Sequence, residues 1–415
     1  MGTILIMKQK ELQRAHALAM VFEDIITLKR ASEIMGVSYR QAKRLKSKFG
    51  KEGIKGLAHG NRGKNSSRCL SKEISEKILN LSQEKYFNFN DTHFTEHLIE
   101  KEGITVSRET VRQIRRRNRI KPKRKRRAKN HYKRRERKEQ EGIMVLWDGS
   151  PHKWFGEDKP ACCLMSAVDD ATGKILSAFF IDFEGSFGYL KLLKSIVERE
   201  GIPLCIYQDR HSSLKRSDNH WSLEEQLANK QEPTQVGLAL EGLSITAIFA
   251  LSAQAKGRIE SLFRVLQDRL IAELGLHKIK TMEDGNRFLE NIFIKDYNKR
   301  FRKIATQEQK AWRKTPNSSE IDRIISFKYK AVVGNDNTVR IDGKILDIPK
   351  GKGNRGYAKA KVDVCQLLDG TWEVYYKNEL LLKDESTVSQ VPIRALCRKR
   401  SKLKDNFIYV SSKSV

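Results

Sequence analysis

The sequence predicts a multidomain protein, with all-α units at the N-terminus, a central α/β domain and a small β-barrel near the C-terminus. Helical periodicity with capping residues fills the first 118 residues, and alternating apolar strands and helices run from 142 to 328. Residues 329–398 change to short β-rich runs with Gly and Asp-Gly turns, which are typical of a small barrel. A chain of 415 residues is long enough for this division.

Basic residues are concentrated in the first third of the chain. Residues 1–142 hold 37 Lys and Arg against 16 Asp and Glu, out of totals of 81 and 51. Between Arg115 and Lys138, 16 of 24 residues are basic. This charge density predicts a polyanionic partner, first of all DNA. We expect residues 119–141 to be a linker that follows the DNA backbone, or else a merely solubilising one, and residues 399–415 to be a basic tail.

Composition also excludes several classes of protein. The six cysteines are scattered without a Cys-x-x-Cys pair and with few histidines nearby, which argues against a disulfide framework and against a structural zinc site. The N-terminus lacks a secretory signal, and the most apolar stretch, 238–255, is interrupted by Glu241. We therefore expect a cytoplasmic protein without a membrane partner.

Residues 1–60 are predicted to be a helix-turn-helix domain. A short amphipathic helix over 28–35 is followed by a Gly-Val turn, and Ser38 with Gln41 has the spacing of a capping box. Ala42, Leu45 and Phe49 would face the core of the following helix. Its other faces would meet a major groove, unless this is simply a basic surface helix, and they carry Arg40, Lys43, Arg44 and Lys46.

Residues 61–118 are predicted to be a second helix-turn-helix domain. Ser71 and Ser107 are in position to cap helices, a shorter helix begins near Asp91, and Gly103 ends it. In the last helix Val111 and Ile114 would point inward, and the outward, DNA-contacting residues would be Arg112, Arg115 and Arg116. Two such domains in tandem suggest a long, bipartite DNA site.

The central region, 142–328, carries three acidic residues that the predicted elements place together. Asp148 and Asp209 each end an apolar strand, and Glu260 lies on the long helix that follows. Carboxylates at the ends of adjacent strands converge, and they repel unless a cation neutralises them. Oxygen ligands of this kind select Mg²⁺ or Mn²⁺, and a pair of such ions suits phosphoryl transfer. Taken singly, each acid is more often a turn, cap or surface residue, and Asp169 and Asp170 are better explained by a hairpin turn.

Three segments of this region resemble the DDE transposases and retroviral-type integrases. They are 146–155 (LWDGSPHKWF), 205–212 (CIYQDRHS) and 251–270 (LSAQAKGRIESLFRVLQDRL). The resemblance extends over most of the chain and is greatest to the ISNCY-type insertion-sequence transposases of bacteria. It implies a ribonuclease H-like core, a metal-binding catalytic triad of Asp148, Asp209 and Glu260, and two Mg²⁺ or Mn²⁺ ions. It also implies that Lys256 and Arg258 contact DNA near the active site.

The implied activity is cleavage of DNA at the terminal inverted repeats of an insertion sequence and joining of the ends to target DNA. Such a reaction needs self-association into a dimer or larger synaptic complex, and a location at the bacterial nucleoid. Arg210 and His211 follow the second aspartate where many relatives have Asn-Gly, and more residues separate Asp209 from Glu260 than in the integrases. A polar insertion at about 213–235 would account for the excess.

Two other functions remain open at this point. One is a sequence-specific DNA-binding regulator whose ribonuclease H-like domain is inactive, and the other is a nuclease without joining activity. The three acids together favour an active enzyme. His152 and Trp154 could stack on a base, although a tryptophan is more often part of the core.

Overall fold

The computed structural model describes residues 9–58, 70–123, 135–216, 223–229, 231–250, 257–341 and 343–385. The chain divides into two compact units, an N-terminal unit of residues 1–77 and a C-terminal unit of residues 78–415. The finer, six-part division expected from the sequence remains a prediction. In the described part of the chain, every helix is too short or too polar to cross a lipid bilayer.

The N-terminal unit is a helical domain with the predicted helix-turn-helix. Its elements are α1 (Gln9–Phe22), α2 (Leu28–Ile34), α3 (Tyr39–Glu52) and a 3₁₀ turn (Gly53–Leu57). The Ser38 side chain accepts a hydrogen bond from the Gln41 backbone N–H, which caps α3 as the sequence predicts. Leu18, Leu45 and Leu57 are buried together, so the apolar side of α3 closes against α1.

Three more helices precede the central sheet. They are α4 (Lys72–Glu84), which contains the boundary between the two units, α5 (Asp91–Glu100) and α6 (Arg108–Arg117). Asn90 and Ser107 cap α5 and α6 through hydrogen bonds to the backbone N–H groups of His93 and Thr110. Phe94, Leu98 and Val111 are buried, which gives this α5–α6 pair an apolar core.

The central sheet contains β1 (Met144–His152), β2 (Cys162–Asp169), β3 (Ile175–Ile181), β4 (Cys205–Gln208) and β5 (Thr246–Phe249). Its strand order is β3-β2-β1-β4-β5. The first three strands pair antiparallel as a meander, whereas β1 and β4, and then β4 and β5, pair in parallel. This order and mixed direction are those of a ribonuclease H-like core, as the resemblance implied.

Helices cover both faces of this sheet. They are α7 (Ser186–Arg199), α8 (Leu223–Ala228), α9 (Gln235–Gly242), α10 (Gly257–Leu276), α11 (Met282–Phe288), α12 (Ile294–Phe301) and α13 (Ser318–Ile324), with a π-helical segment at Leu289–Phe293. Residues of β1 alternate between two buried clusters, as a strand requires. Trp147 packs with Tyr189 of α7, while Leu146 packs with Ile259 and Phe263 of α10.

Polar contacts fasten α5 to the far part of α10 and to α12 within the C-terminal unit. Glu96 accepts two hydrogen bonds from Arg269, at 2.6 and 2.8 Å. Glu100 accepts two more from Arg300, at 2.7 and 2.6 Å. Bidentate pairs of this kind fix orientation as well as distance. The α5–α6 pair is therefore held on the catalytic core as part of it.

The C-terminal β region forms an open sheet. Its strands are β6 (Phe327–Val332), β7 (Thr338–Ile341), β8 (Lys344–Asp347), β9 (Lys361–Gln366), β10 (Trp372–Tyr376) and β11 (Glu379–Asp384). Four of them pair in the order β11-β10-β9-β6, and β7 pairs with β8 as a separate hairpin. Among the described strands the two ends of the sheet, β11 and β6, do not pair with each other. The closed barrel predicted from the sequence is thus not confirmed, because β7 and β8 bond to each other instead of extending the sheet.

Candidate active site

Two neighbouring parallel strands place Asp148 beside Asp209. In the register of β1 and β4, Val145 lies opposite Ile206 and Leu146 opposite Tyr207. The Trp147 Nε1–H donates a 3.0 Å hydrogen bond to Gln208 Oε1, which joins the two strands one residue beyond the last pair. Asp148 follows Trp147 in β1 and Asp209 follows Gln208 at the end of β4, so both aspartates lie at the same end of these two strands.

Both aspartates belong to the face of the sheet that α10 covers. Side chains alternate along a strand, so Asp148 shares the face of Leu146, and Asp209 shares that of Cys205. Leu146 and Cys205 lie in the same buried cluster as Ile259, in the first turn of α10. Glu260 follows Ile259 and is exposed. The fold thus brings the three predicted acids to one side of the sheet.

The three carboxylates do not form a closed cluster. Asp148 Oδ1 accepts a 3.1 Å hydrogen bond from the Gly149 backbone N–H, and Asp209 Oδ1 accepts one of 2.9 Å from that of His211. The carboxylate oxygens of Asp148, Asp209 and Glu260 are too far apart to lie within 4.8 Å of one another. Among the described residues, a group with that spacing is formed by His93, His97 and Glu273. Like charges repel, which keeps three carboxylates apart until a cation joins them.

A fourth carboxylate, Glu184, lies at the same end of the sheet, and sequence reasoning missed it. A Cβ on Gly149 would lie 2.6 Å from Glu184 Oε2, so this carboxylate packs against the strand directly after Asp148. Glu184 Oε1 accepts a 2.5 Å hydrogen bond from the Tyr189 hydroxyl and lies 3.9 Å from His211 Nδ1. Glu184 lies in the loop after β3, whereas Asp148 lies within β1 and Asp209 directly follows β4, and the Phe-Glu-Gly sequence of this loop matches no motif that would mark it.

The Tyr189 hydroxyl donates a hydrogen bond to Glu184 and lies among negatively charged groups. Burial raises its pKa, and the negative charges of Glu184, Asp148 and Asp209 raise it further. The raised pKa keeps the hydroxyl protonated near neutral pH, where it donates to Glu184. His211 donates its backbone N–H to Asp209, while its Nδ1 accepts a 3.3 Å hydrogen bond from the Ser213 backbone N–H and lies 3.9 Å from Glu184 Oε1.

Of the two aspartates at the end of β2, Asp169 holds the hairpin turn, as the sequence predicts, whereas the Asp170 side chain binds residues outside the hairpin. Asp169 accepts hydrogen bonds from the Gly142 N–H at 3.0 Å and from the Thr172 N–H at 2.8 Å. Burial raises the pKa of Asp169, although these hydrogen bonds lower it. Asp170 is completely buried and accepts hydrogen bonds from the side chains of Arg135 and Arg258.

Arg258, a predicted DNA contact, is engaged inside the protein. Besides Asp170, its guanidinium donates to the Arg135 carbonyl at the end of the basic linker. A role of Arg258 on DNA remains a prediction, as does that of Lys256, which lies outside the described residues. Residues 124–134, the centre of the predicted linker, lie outside them too.

The basic side chains of α3 are oriented as predicted. Arg40, Lys43 and Arg44 are exposed, on the sides of the helix away from the buried Ala42 and Leu45. Lys46 is half-buried, with its Nζ 5.2 Å from the centre of the Phe22 ring. The structure thus presents a basic face on the second helix of the helix-turn-helix.

On α6 the prediction is wrong for Arg115, which is buried and not outward. Arg115 lies four residues after Val111 and so shares its inward face. Its guanidinium donates to Asp91 Oδ1 at 2.7 Å and to the Phe89 carbonyl at 3.1 Å. Arg116 is half-buried and donates to the other oxygen of Asp91, whereas Arg112 is exposed and pairs with Glu109.

An open groove of about 1050 Å³ lies between the α5–α6 pair and α10. Its basic lining consists of Arg108, Arg112, Arg116, Lys123, Arg264 and Arg269. Arg264 is one turn after Glu260 on α10, so the groove runs along the helix that carries the third predicted acid. The lining also contains Asp91, Glu109 and Asp268, which pair with Arg116, Arg112 and Lys123.

The tryptophan near Asp148 is part of the core. Trp154 is fully buried, and its Nε1–H donates a 3.0 Å hydrogen bond to the Ser150 carbonyl. His152 packs edge-on to this ring, with centroids 5.5 Å apart. Stacking of a base on Trp154 is excluded by its burial.

Sequence comparison identifies the family. Residues 13–65 match a helix-turn-helix domain family. A protein of Sinorhizobium fredii named as a transposase, y4bF, is 30% identical over 413 residues, which cover 99% of this chain and 88% of the relative. The chain belongs to the transposase family. A second transposase, that of the insertion sequence IS1202 of Streptococcus pneumoniae, is 31% identical over 401 residues, 86% of this chain and 83% of the relative.

Solved integrase structures are also similar to this transposase. The catalytic core domain of the HTLV-2 integrase in complex with magnesium aligns with 37% of this chain and 89% of its own, at 16% identity and a TM-score of 0.25. A simian T-cell lymphotropic virus intasome in complex with the PP2A regulatory subunit B56 gamma aligns with 75% of this chain and 100% of its own, at 13% identity and a TM-score of 0.29. The family assignment rests on the two transposases.

Proposed function

We propose that this transposase binds the terminal inverted repeats of its insertion sequence, cleaves a DNA strand at each end and joins the ends to target DNA. Asp148, Asp209 and Glu260 are its catalytic acids. The observation that supports the proposal is the parallel pairing of β1 with β4, since Asp148 lies in β1 and Asp209 directly follows β4 at the same end of the sheet. Cytoplasmic DNA at the bacterial nucleoid is its substrate.

The three acids suit a pair of Mg²⁺ or Mn²⁺ ions. Their donors are all oxygen, which such ions prefer, and both aspartates lie at the same end of two paired strands. Two bound ions would supply activation of the attacking oxygen and stabilisation of the leaving oxygen. Glu260, from the exposed first turn of α10, would complete the set by moving toward the aspartates.

The protein's own residues position these acids. Backbone N–H groups of Gly149 and His211 hold one oxygen of each aspartate. Glu184 is a positioning residue, because its carboxylate packs against Gly149, the residue that follows Asp148. The negative field of Glu184 would also favour binding of cations at this end of the sheet.

DNA contacts are divided between two surfaces in this proposal. The basic face of α3 would read the terminal repeat in a major groove, with Arg40, Lys43, Arg44 and Lys46 as its contacts. The groove along α10 would hold the strand that is cut, through phosphate contacts of Arg112, Arg116 and Arg264. Two DNA ends must be held at once for joining, so a dimer or larger assembly forms on DNA.

A cleavage and strand-transfer assay tests this function. The substrate is DNA that carries the sequences flanking the gene, and Mg²⁺ or Mn²⁺ is added to the wild type and to Glu260→Gln. Glu283→Gln is the matched control, since Glu283 is an exposed glutamate on α11, outside the proposed site. We expect metal-dependent joined products from the wild type and the control, and a loss on the order of 10³-fold in Glu260→Gln, because several kcal/mol of transition-state stabilisation disappear.

Three outcomes separate the possible functions. Joined products that are lost only in Glu260→Gln support the transposase mechanism and the triad. Hydrolysed ends without joined products would make the protein a nuclease. Specific binding without cleavage by the wild type, in either metal, would make it a DNA-binding regulator.

A further inference from the structure

Two histidines of α5 and one glutamate of α10 form a compact group of metal-ligand type in the C-terminal unit. His93 and His97 are four residues apart and share one side of α5. Glu273 lies on α10, about 20 Å along the helix axis from Glu260. The group is therefore separate from the three acids of the active site.

The ligand atoms of this group already converge. His93 Nε2 and His97 Nε2 lie 2.6 and 2.8 Å from the same oxygen, Glu273 Oε1. One ligand atom from each residue lies within 4.8 Å of the others. The side chains expose only 4%, 7% and 13% of their surface, in the order His93, His97, Glu273. Imidazole nitrogens and a carboxylate oxygen aimed at one buried point are what a metal centre needs.

A fourth ligand is available one turn further on. His277 follows the end of α10, and its Nε2 lies 3.9 Å from the second oxygen of Glu273. Glu273 and His277 thus repeat the four-residue spacing of His93 and His97 on the second helix. The His277 side chain is 44% exposed and its ring lies 5.0 Å from that of Phe288, so it must rotate toward the group to bind an ion.

Aromatic rings enclose the two histidines. The Phe89 ring stacks on His93 with centroids 4.3 Å apart, and the Tyr86 ring lies 5.4 Å from that of His97. The Nδ1 atoms of both histidines are buried and have no hydrogen-bond partner among the described residues. Each imidazole therefore makes its polar interaction through Nε2 alone, toward Glu273.

We propose that His93, His97, Glu273 and His277 bind a structural transition-metal ion, Zn²⁺ first, which joins α5 to α10. Three imidazoles with one carboxylate suit Zn²⁺ and the divalent ions next to it, whereas Mg²⁺ and Mn²⁺ prefer the all-oxygen set of the active site. The site adds a metal crosslink to the bidentate pair of Glu96 with Arg269, which already connects these two helices. It is independent of the proposed catalytic mechanism.

Binding requires only a small rearrangement. Zn²⁺ lies about 2.0–2.1 Å from each ligand, so tetrahedral donors are about 3.3 Å apart. Rotation of the Glu273 carboxylate away from the two Nε2 atoms, which are now within 2.8 Å of it, makes that room. Because the Nδ1 atoms have no outer partner, we expect the affinity to be about 10–100-fold below that of sites whose histidines have one.

Metal analysis of the full-length protein tests the proposal. The protein is stripped with a chelator, and Co²⁺ and Zn²⁺ are then titrated separately while bound metal and visible absorption are measured. Tetrahedral Co²⁺ absorbs strongly, whereas Co²⁺ in an all-oxygen site such as that of Asp148 and Asp209 does so weakly, which distinguishes the two centres. We expect about one strongly absorbing Co²⁺ per chain, displaced by Zn²⁺ but not by Mg²⁺, and a higher melting temperature with Zn²⁺.

Two conservative variants and one control complete the test. Glu273→Gln keeps an oxygen that accepts from the histidines, and His277→Gln changes an exposed side chain, so both proteins should fold. We expect each to weaken Co²⁺ binding at least tenfold, whereas His16→Gln, an exposed histidine on α1, should not change it. Absence of a strongly absorbing Co²⁺ site in the wild type, or Co²⁺ binding unaffected by Glu273→Gln, would overturn the proposal. The cluster would then be a hydrogen-bonded contact of α5 with α10.

Discussion

The Glu184 carboxylate packs directly against the backbone of Gly149, the residue after Asp148. A Cβ at position 149 would lie 2.6 Å from Glu184 Oε2 and 2.7 Å from its Cδ, closer than real Cβ contacts allow. Only glycine lets the carboxylate reach this place. There it accepts a hydrogen bond from the Tyr189 hydroxyl and lies 3.9 Å from His211 Nδ1. The end of β1 is thus shaped by a side chain that enters from the opposite face of the sheet.

Gly149→Ala is expected to displace Glu184 and to lower DNA cleavage by about tenfold or more, since small displacements at a reacting centre are costly. Binding to DNA should be unchanged, because no predicted DNA contact is touched. Gly275→Ala is the control, as Gly275 lies on α10 with nothing within 4 Å of a new Cβ. If Gly149→Ala needs a higher Mg²⁺ concentration for half-maximal cleavage, Glu184 has a positioning role. If Gly149→Ala cleaves DNA as fast as the Gly275→Ala control, Glu184 has no positioning role.

Asp170→Asn should destabilise the transposase and loosen the end of its basic linker. The completely buried Asp170 side chain accepts from Arg135, Arg258 and the backbone N–H of Lys138, and an amide would leave these charges uncompensated. We expect the free energy of unfolding to fall by about 3 kcal/mol. Asp158→Asn, at an exposed position, should have no effect. Thermal unfolding gives the stability, and limited proteolysis near residue 135 reports the linker. An unchanged melting temperature would contradict the structural role of Asp170.

Arg115→Met and Arg112→Ala should separate a folding role from a DNA-binding role on α6. Loss of the buried Arg115 leaves Asp91 with one partner fewer, and we expect a loss of about 2–3 kcal/mol of stability. Arg112 is exposed, so its removal should leave the melting temperature unchanged and weaken DNA binding. The two variants are compared by thermal unfolding and by binding at several salt concentrations. The reverse pattern would mean that α6 is oriented differently.

Arg40→Ala and Arg44→Ala should each weaken binding to the terminal repeat. If each arginine of α3 contacts one phosphate, the slope of log binding constant against log salt should fall by about one per residue removed. Lys10→Ala, on α1, provides the comparison. An arginine that instead contacts a base would lower specificity for the repeat over random DNA. If neither the salt dependence nor the specificity for the repeat changes, α3 does not recognise the terminal repeat.

The order of elements was largely predictable from local patterns. Ser38 and Ser107 mark the starts of α3 and α6 through capping that depends on residues three positions away. Buried strands such as β2 and β3 are nearly continuous apolar runs, and these too are local signals. The placement of Asp148 and Asp209 on adjacent strands followed from the same patterns. The assignment of the triad as catalytic stays a prediction.

What could not be predicted depends on residues far apart in the chain. The contact of Glu273 with His93 and His97 joins positions about 180 apart in sequence, and no spacing rule connects them. The sequence search for metal sites also started from the cysteines, so it did not consider a ligand set of histidine and glutamate. Arg115 was predicted to face outward because it lies in a run of basic residues. Its position four residues after the buried Val111 instead puts it on the inward face of α6. The open C-terminal sheet differs from a barrel in strand pairing, which short β-rich runs do not specify.

The fastening of α5 to the far part of α10 limits how these transposases can be recombined. Glu96 and Glu100 depend on Arg269 and Arg300, which lie well beyond the sheet in sequence. A hybrid that takes α5 and α6 from another transposase would separate these ion-pair partners. To keep the pairs, such a graft must also carry the matching residues of α10 and α12, so the transferred segments are discontinuous in the gene.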